Sequence, residues 1–190
     1  MQTTLHIKNM VCNRCIKVVN EELSKLGLKV VNIKLGEATV ETNEYFFPDK
    51  KIEEILYENG FELIDDTNAK IIEKIKVLII NKIHSPSQKS EKLNFSNYLS
   101  KEIGKNYSHL SSLFSSKEGV TIEKFIIHQK IERVKELLAY NEHTLSEIAY
   151  SNGYSSVQHL SNQFKQVTGM SPSDFKKLKE PKRTPLDKIS

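Results

Sequence analysis

The 190-residue sequence contains little cysteine and no long apolar segment. Its two cysteines are three residues apart, and they cannot form a disulfide framework. The densest apolar stretch, residues 71–83, is interrupted by charged residues and falls short of the run of about 20 apolar residues that spans a bilayer. The first residues have neither a basic leader nor a long apolar core. We therefore expect a cytoplasmic protein with reduced thiols and no membrane partner.

The sequence also lacks the patterns that accompany catalysis. No paired catalytic carboxylates, glycine-rich phosphate-binding loop or nucleophile triad can be recognised. A thiol-exchange enzyme would use a pair of cysteines such as this one, but the element order of a thioredoxin-like fold is absent. We therefore predict that the protein is not an enzyme.

Charge is distributed unevenly along the chain. Residues 1–80 contain 11 Lys/Arg and 13 Asp/Glu, whereas residues 81–190 contain 17 Lys/Arg and 11 Asp/Glu. The net charge is therefore −2 in the first part and +6 in the second. This division is typical of a protein that binds a polyanion with one half. A mildly basic surface without a partner would give the same totals.

The second half contains an internal repeat with an offset of 50 residues. Identical residues coincide at seven pairs of positions: Ser96/Ser146, His109/His159, Leu110/Leu160, Ser111/Ser161, Phe114/Phe164, Gly119/Gly169 and Phe125/Phe175. A self-match at one fixed offset indicates a duplicated structural unit. Each copy is predicted to form two short helices, with a longer helix over residues 122–140 between the copies.

The second repeat shows the clearest helix boundaries. They are marked by a Thr144/Glu147 capping box, by Gly153 in a turn, by Ser155 or Ser156 as a second cap and by Gly169 as a stop. Two short helices joined by a tight turn make a helix-turn-helix, whose second helix can enter the DNA major groove. The alternative is a plain helical domain in which His109 and His159 are ordinary, partly buried residues.

The stretch from Leu145 to Phe175 closely resembles the signature of AraC/XylS-type transcriptional regulators. The resemblance covers about residues 93–180 and rests on residues at the family's spacing: Gly153, Phe164, Lys165, Gly169, Ser171, Pro172 and Phe175. It implies a bacterial-type regulator that binds double-stranded DNA, with RNA polymerase as a further partner. It also implies two recognition helices on one face, entering successive segments of the major groove.

By position, the resemblance assigns the DNA-contacting residues Ser108, Ser111 and Ser112 in the first repeat, and Val157, Gln158, Ser161, Asn162 and Lys165 in the second. Gln158 and Asn162 suit adenine, Val157 suits a thymine methyl group, and Lys165 suits a phosphate. The first repeat offers mainly serines, where the family often has Arg or Gln, so we expect its helix to position the protein more than to discriminate bases. Lys130 stands where the family's linker helix often has Arg.

Residues 1–66 are predicted to form an α+β domain. Apolar periodicity indicates the order strand, helix, strand, strand, helix, strand, with the first helix over residues 15–26 and the second opened by Pro48. This order gives an antiparallel sheet with both helices on one side, which is a ferredoxin-like fold.

The chemical feature of this domain is the segment Met10-Val-Cys12-Asn-Arg-Cys15, at the junction of the first strand and first helix. Two thiols at this spacing can converge on one soft ion, for which Cu(I) is suited and Zn(II) or Hg(II) are alternatives. The helix amino terminus is expected to lower the pKa of both thiols. The same spacing also serves redox chemistry in a different fold, and the two cysteines can be structurally idle.

Residues 3–66 resemble the heavy-metal-associated domain of copper chaperones and metal-transport ATPases. That family has M-x-C-x-x-C at this junction and an aromatic residue after the glycine of the last loop, here Phe61. The resemblance implies Cys12 and Cys15 as metal ligands, Met10 as a support in the core and Phe61 as a packing lid. The chain departs from the family at two positions, with Asn9 in place of Gly and Val11 in place of Thr.

Residues 67–92 are predicted to connect the two domains. Residues 68–84 form a helix with an apolar stripe, and residues 85–92 form a polar linker. The stripe either packs on its own domain or pairs with a second copy in a homodimer. The DNA-binding domain then covers residues 93–182, followed by a tail over residues 183–190.

These features together predict a sequence-specific DNA-binding transcriptional regulator that is controlled by a soft metal ion at Cys12 and Cys15. Control requires that the metal bind two states of the protein unequally. The alternatives are a metal carrier or buffer, and a regulator whose amino-terminal domain only dimerises or senses a non-metal ligand.

Overall fold

A computed structural model describes residues 2–41, 49–84, 94–178 and 183–189. The chain divides into an amino-terminal unit, Met1–Asn81, and a carboxy-terminal unit, Lys82–Ser190. The predicted linker over residues 85–92 and the predicted helix start at Pro48 lie outside the described residues. Within the described residues, no helix has the length and apolar character needed to cross a bilayer.

The amino-terminal unit has the predicted order of strands and helices. Its elements are β1 Gln2–Lys8, α1 Asn13–Lys25, β2 Lys29–Lys34, β3 Glu37–Glu41, α2 Asp49–Glu58 and β4 Glu62–Leu63. The strands form one antiparallel sheet in the order β2-β3-β1-β4, with Leu5 of β1 opposite Ala38 of β3. Helix α1 begins two residues earlier than predicted, because the turn that contains Cys12 already supplies the first helical carbonyl.

One face of this sheet forms the core. Leu5, Ile7, Ala38 and Val40 alternate along β1 and β3 and are buried, which is the period of two expected of a half-covered sheet. Both helices contribute to the same cluster, α1 with Val19 and Leu23 and α2 with Ile52 and Leu56. Each such side chain contributes about 1.5–3 kcal/mol when it leaves water. Both helices therefore pack against the same face of the sheet.

Helix α3, Thr67–His84, follows the sheet. The Asp66 carboxylate accepts a hydrogen bond from the backbone N–H of Ala69 at 2.7 Å, which caps its first turn. Ile72, Ile75 and Ile79 of the predicted apolar stripe are buried within a single chain. Of the two alternatives for this stripe, burial in the monomer favours packing within the chain over pairing with a second copy.

The carboxy-terminal unit is helical. It contains α4 Phe95–Ile103, α5 Tyr107–Glu118, α6 Ile122–Tyr140, α7 Leu145–Ser151, α8 Val157–Thr168 and α9 Pro172–Lys176, with a turn of 3-10 helix at Leu186–Lys188. Helices α5 and α8 have the same length, and both of their ends are offset by 50 residues. The predicted repeat is therefore a repeat of structure.

The packing inside the two repeats is also duplicated. Leu110 and Phe114 of α5 are fully buried, as are Leu160 and Phe164 of α8. The ring of Phe114 meets that of Phe125 edge to face at 5.5 Å, and the ring of Phe164 meets that of Phe175 in the same way at the same distance. Edge-to-face pairs of this kind contribute about 0.5–1.5 kcal/mol beyond area burial.

Candidate nucleic-acid interface and cysteine pair

Side-chain caps set the starts of α5 and α8. The Asn106 side chain accepts a hydrogen bond from the Ser108 N–H at 2.8 Å, and Ser156 Oγ accepts one from the His159 N–H at 3.1 Å. Each cap satisfies an amide that would otherwise lack a helical partner. The caps therefore define where each of these helices begins to present its outer face.

The turns before these two helices differ in length. Helix α4 ends at Ile103 and is followed by Gly104, with φ 74°. Helix α7 ends at Ser151, two repeat positions earlier, and is followed by Asn152 and Gly153, with φ 76° for the glycine. Both glycines occupy the left-handed region that favours glycine. Because α4 is longer, the turn glycines of the two repeats, Gly104 and Gly153, are not offset by 50 residues.

Helix α8 has one buried face and one polar face. Leu160 and Phe164 are fully buried. The predicted DNA-contacting residues of α8 lie away from them and are exposed at Gln158, Asn162 and Lys165 and half-buried at Val157 and Ser161.

Helix α5 has the same arrangement with smaller side chains. Ser108 and Ser112 are exposed and Ser111 is half-buried, opposite the buried Leu110 and Phe114. Hydroxyl groups can donate to or accept from phosphates and bases, but they do not form the paired contacts that identify one base. The structure therefore brings the three serines to one helix face, and their chemistry is suited to positioning.

The side-chain amides of Gln158 and Asn162 on α8 are hydrogen-bonded to each other. Gln158 Nε2 donates a hydrogen bond to Asn162 Oδ1 at 2.8 Å, across one helical turn. The Asn162 oxygen keeps a second lone pair, and its Nδ2 group keeps both hydrogens available. The pair therefore holds the Asn162 amide in one orientation while leaving a donor and an acceptor on its outer edge.

A contact that sequence analysis did not find connects α6 to the second repeat. Lys130 Nζ lies 5.5 Å from the centre of the Tyr154 ring, and burial lowers the pKa of this lysine. A Cβ atom at Gly153 would lie 3.6 Å from the same Nζ. The Tyr154 hydroxyl in turn donates to Gln163 Oε1 of α8 at 2.8 Å. Lys130 thus supports the turn of the second repeat through a cation–π contact.

The two cysteines lie together at the start of α1. Their Sγ atoms are 3.5 Å apart and both side chains are partly exposed. Met10 beside them is completely buried and Phe61 belongs to the same core, which agrees with their predicted packing roles. Within the described residues, no group of three or more His, Cys, Asp or Glu side chains could hold a metal ion. The arrangement therefore offers two sulfur ligands.

Asn9 explains one departure from the metal-domain pattern. Its φ is 71°, a left-handed conformation that asparagine adopts more readily than most other non-glycine residues. Its side chain donates to the Gly60 carbonyl at 3.0 Å, and its backbone N–H donates to Glu73 Oε1 of α3 at 3.0 Å. Asparagine therefore fits a position suited to glycine and also ties the cysteine loop to α3.

The predicted lowering of both thiol pKa values is wrong for Cys15. Burial raises the pKa of the Cys15 thiol, and this effect outweighs the backbone hydrogen bond from Val11, which acts in the opposite direction. Cys15 lies in the first turn of α1, where desolvation by burial outweighs the helix amino terminus.

Comparison with known proteins identifies the repeated helices. A family model described as a helix-turn-helix domain matches residues 99–178. The carboxy-terminal unit carries a helix-turn-helix domain of the AraC type. The chain is 35% identical over 78 residues to an uncharacterized HTH-type transcriptional regulator of Staphylococcus aureus, covering 41% of this chain and 10% of that protein. It is 31% identical over 68 residues to the probable transcriptional regulator LumQ of Photobacterium leiognathi, covering 36% of this chain and 27% of that protein.

The similarity is confined to a part of these longer relatives. The match spans about a tenth of the length of the Staphylococcus aureus protein. Among solved structures, the C-terminal domain of the response regulator YesN from Fusobacterium nucleatum is 24% identical with a TM-score of 0.46, covering 55% of this chain and 99% of that chain.

Proposed function

We propose that the protein is a transcriptional regulator that binds a specific DNA sequence through α5 and α8. The observation that carries this proposal is the duplicated packing of the two helix-turn-helix repeats, each of which exposes the polar face of its second helix. The net charge of +6 over residues 81–190 supports attraction to the phosphate backbone. The AraC-type domain supports the same function.

The two helices are proposed to have unequal roles. Asn162, oriented by Gln158, pairs with adenine N6 and N7, and Val157 contacts a thymine methyl group. Lys165 contacts a phosphate, and the serines of α5 contact the backbone in a neighbouring groove segment. Most of the base discrimination therefore comes from α8.

The test selects binding sites for the full-length protein from random duplex DNA and then measures affinity by mobility shift. Asn162→Ala is expected to weaken binding to the selected site by about 10- to 100-fold, since a good base contact contributes about 1–3 kcal/mol. Asn20→Ala removes an exposed helical amide of α1 and serves as the matched control. Equal, weak binding of the wild type to all sequences would refute the proposal.

We further propose that Cys12 and Cys15 bind a soft metal ion such as Cu(I), and that the amino-terminal unit is a ferredoxin-like sensor. The 3.5 Å sulfur separation, which allows both atoms to contact one ion, supports this second function, as does the strand order of the sheet. The raised pKa of Cys15 means that a metal ion must displace its proton, so metal affinity should increase with pH.

The metal proposal is tested by titrating the full-length protein with Cu(I) in competition with a chelator, while DNA affinity is followed. A sensor gives metal binding that Cys12→Ser with Cys15→Ser abolishes, together with a metal-dependent change in DNA affinity. A carrier or buffer gives metal binding with unchanged DNA affinity. Absence of metal affinity in the wild type would refute metal binding and leave the DNA-binding proposal intact.

A further inference from the structure

The amino-terminal unit contains a cavity between its sheet and α3. The cavity has a volume of about 150 Å³ and lies beside the turn that joins β2 to β3. Its polar wall consists of His6, Lys34, Glu37, Lys70, Glu73 and Lys74. Its apolar wall is formed by Leu35, Ile64, Val77 and Leu78. A cavity of this size is large enough for a molecule of about the size of benzene.

The acidic groups of the wall already have partners. Glu37 forms an ion pair with Lys34 at 2.8 Å. Glu73 Oε1 accepts the backbone N–H of Asn9 at 3.0 Å. Lys70 and Lys74, by contrast, form no ion pair with the described residues. Two ammonium groups of α3 therefore remain available at one cavity.

Three lysines, Lys34, Lys70 and Lys74, line this cavity together with His6. Burial, followed by the charge of Lys70, lowers the pKa of His6, and Lys34 acts in the same direction. Glu37 acts in the opposite direction and does not reverse the effect. An anion in the cavity would interact favourably with both lysines and with a protonated His6.

We propose that this cavity binds a small organic anion, a carboxylate carried on an apolar body of about the size of a benzene ring. The carboxylate faces Lys70 and Lys74, and the apolar body packs against the side chains of Leu35 and Val77. As a binding site the cavity is independent of DNA binding. A regulatory role for the cavity rests on the proposed function as a transcriptional regulator, in which the anion would be the non-metal ligand that is sensed.

Calorimetric titration of the full-length protein tests the site with benzoate as the probe. Benzamide serves as the neutral isostere, and inorganic phosphate serves as an anion without an apolar body. Benzoate is expected to bind at least about tenfold more tightly than either. Lys70→Gln with Lys74→Gln should weaken benzoate binding by about tenfold or more, whereas Lys51→Gln, an exposed lysine on α2, should not change it.

Equal binding of benzoate and benzamide would overturn the assignment of charge recognition. Tighter binding of phosphate than of benzoate would overturn the role of the apolar wall. No heat of binding for benzoate at about 10 mM would overturn the site itself. Mobility shift of the lysine variant without ligand separates the two proposals, because its DNA affinity should equal that of the wild type whether or not benzoate binds.

Discussion

The hydrogen bond between Gln158 and Asn162 should make the proposed base recognition by α8 a coupled property of these two residues. Gln158 Nε2 donates to Asn162 Oδ1 at 2.8 Å, so Gln158 restricts the Asn162 amide in addition to its proposed contact with DNA. Asn162→Ala should cost about 1–3 kcal/mol at the selected site. Gln158→Ala should cost its own contact and also release the Asn162 amide. A typical net hydrogen bond contributes about 0.5–1.5 kcal/mol, so we expect a coupling energy of that size.

A double-mutant cycle measures this coupling directly. The four proteins are the wild type, the two single alanine variants and the double variant, each titrated with the selected duplex by mobility shift at one salt concentration. The double variant should lose less affinity than the sum of the two single losses. Repetition with the contacted adenine replaced by guanine should remove most of the coupling. Additivity within about 0.3–0.5 kcal/mol on the selected site would refute the argument that Gln158 orients Asn162.

Two further predictions concern stability. Gly153→Ala and Gly169→Ala both place a side chain at a φ near 80°, so each should lower the free energy of unfolding by about 1–2 kcal/mol in urea titrations. The two losses should be similar, because the atom nearest to a Cβ at Gly153, Lys130 Nζ, lies at an ordinary contact distance of 3.6 Å. A loss at Gly153 several times that at Gly169 would contradict this expectation. Burial lowers the pKa of His84 although Gln129 and Glu136 act in the opposite direction, so the folded state binds this proton less readily than the unfolded state. The free energy of unfolding should therefore fall as the pH decreases from above about 6.5 toward the lowered pKa. His84→Gln should reduce that fall. The same pH dependence in the variant and the wild type would contradict the prediction.

Local interactions made the carboxy-terminal unit predictable. The Thr144/Glu147 capping box is formed in both directions, with the Glu147 N–H donating to Thr144 Oγ1 at 3.2 Å and the Thr144 N–H donating to Glu147 Oε2 at 2.8 Å. Residues that cap a helix lie within four positions of each other, so their pattern is visible in the sequence. The apolar spacing of Leu160 and Phe164 likewise follows from one helical period.

Long-range contacts were not predictable in the same way. The contact of Lys130 with Tyr154 and the hydrogen bond of Asn9 with Glu73 join residues 24 and 64 positions apart. No local pattern in the sequence relates these residues. The raised pKa of Cys15 also depends on burial by distant side chains, and for this reason the expectation from the helix terminus alone was wrong.

Glu73 connects the two candidate ligand sites of the amino-terminal unit. It lines the cavity between the sheet and α3, and its Oε1 atom accepts a hydrogen bond from the backbone N–H of Asn9. The carbonyl oxygen of Asn9 lies 3.9 Å from the Cys15 sulfur. An anion beside Glu73 would be repelled by its carboxylate and would shift it. A metal ion on Cys15 would replace the thiol proton that faces the Asn9 carbonyl, in the loop that Glu73 holds. We therefore expect binding of benzoate to change Cu(I) affinity.

Thermodynamic linkage requires the effect of the two ligands on each other to be mutual. Whatever factor benzoate applies to the Cu(I) dissociation constant, Cu(I) must apply the same factor to that of benzoate. Glu73→Gln keeps an acceptor for the Asn9 N–H but removes the negative charge, so benzoate should bind several-fold more tightly and the mutual effect should shrink. Competition titrations of Cu(I) with and without benzoate, on the wild type and on this variant, measure both quantities. If Glu73→Gln left a sizeable mutual effect unchanged, the coupling would have to pass through other residues of the unit.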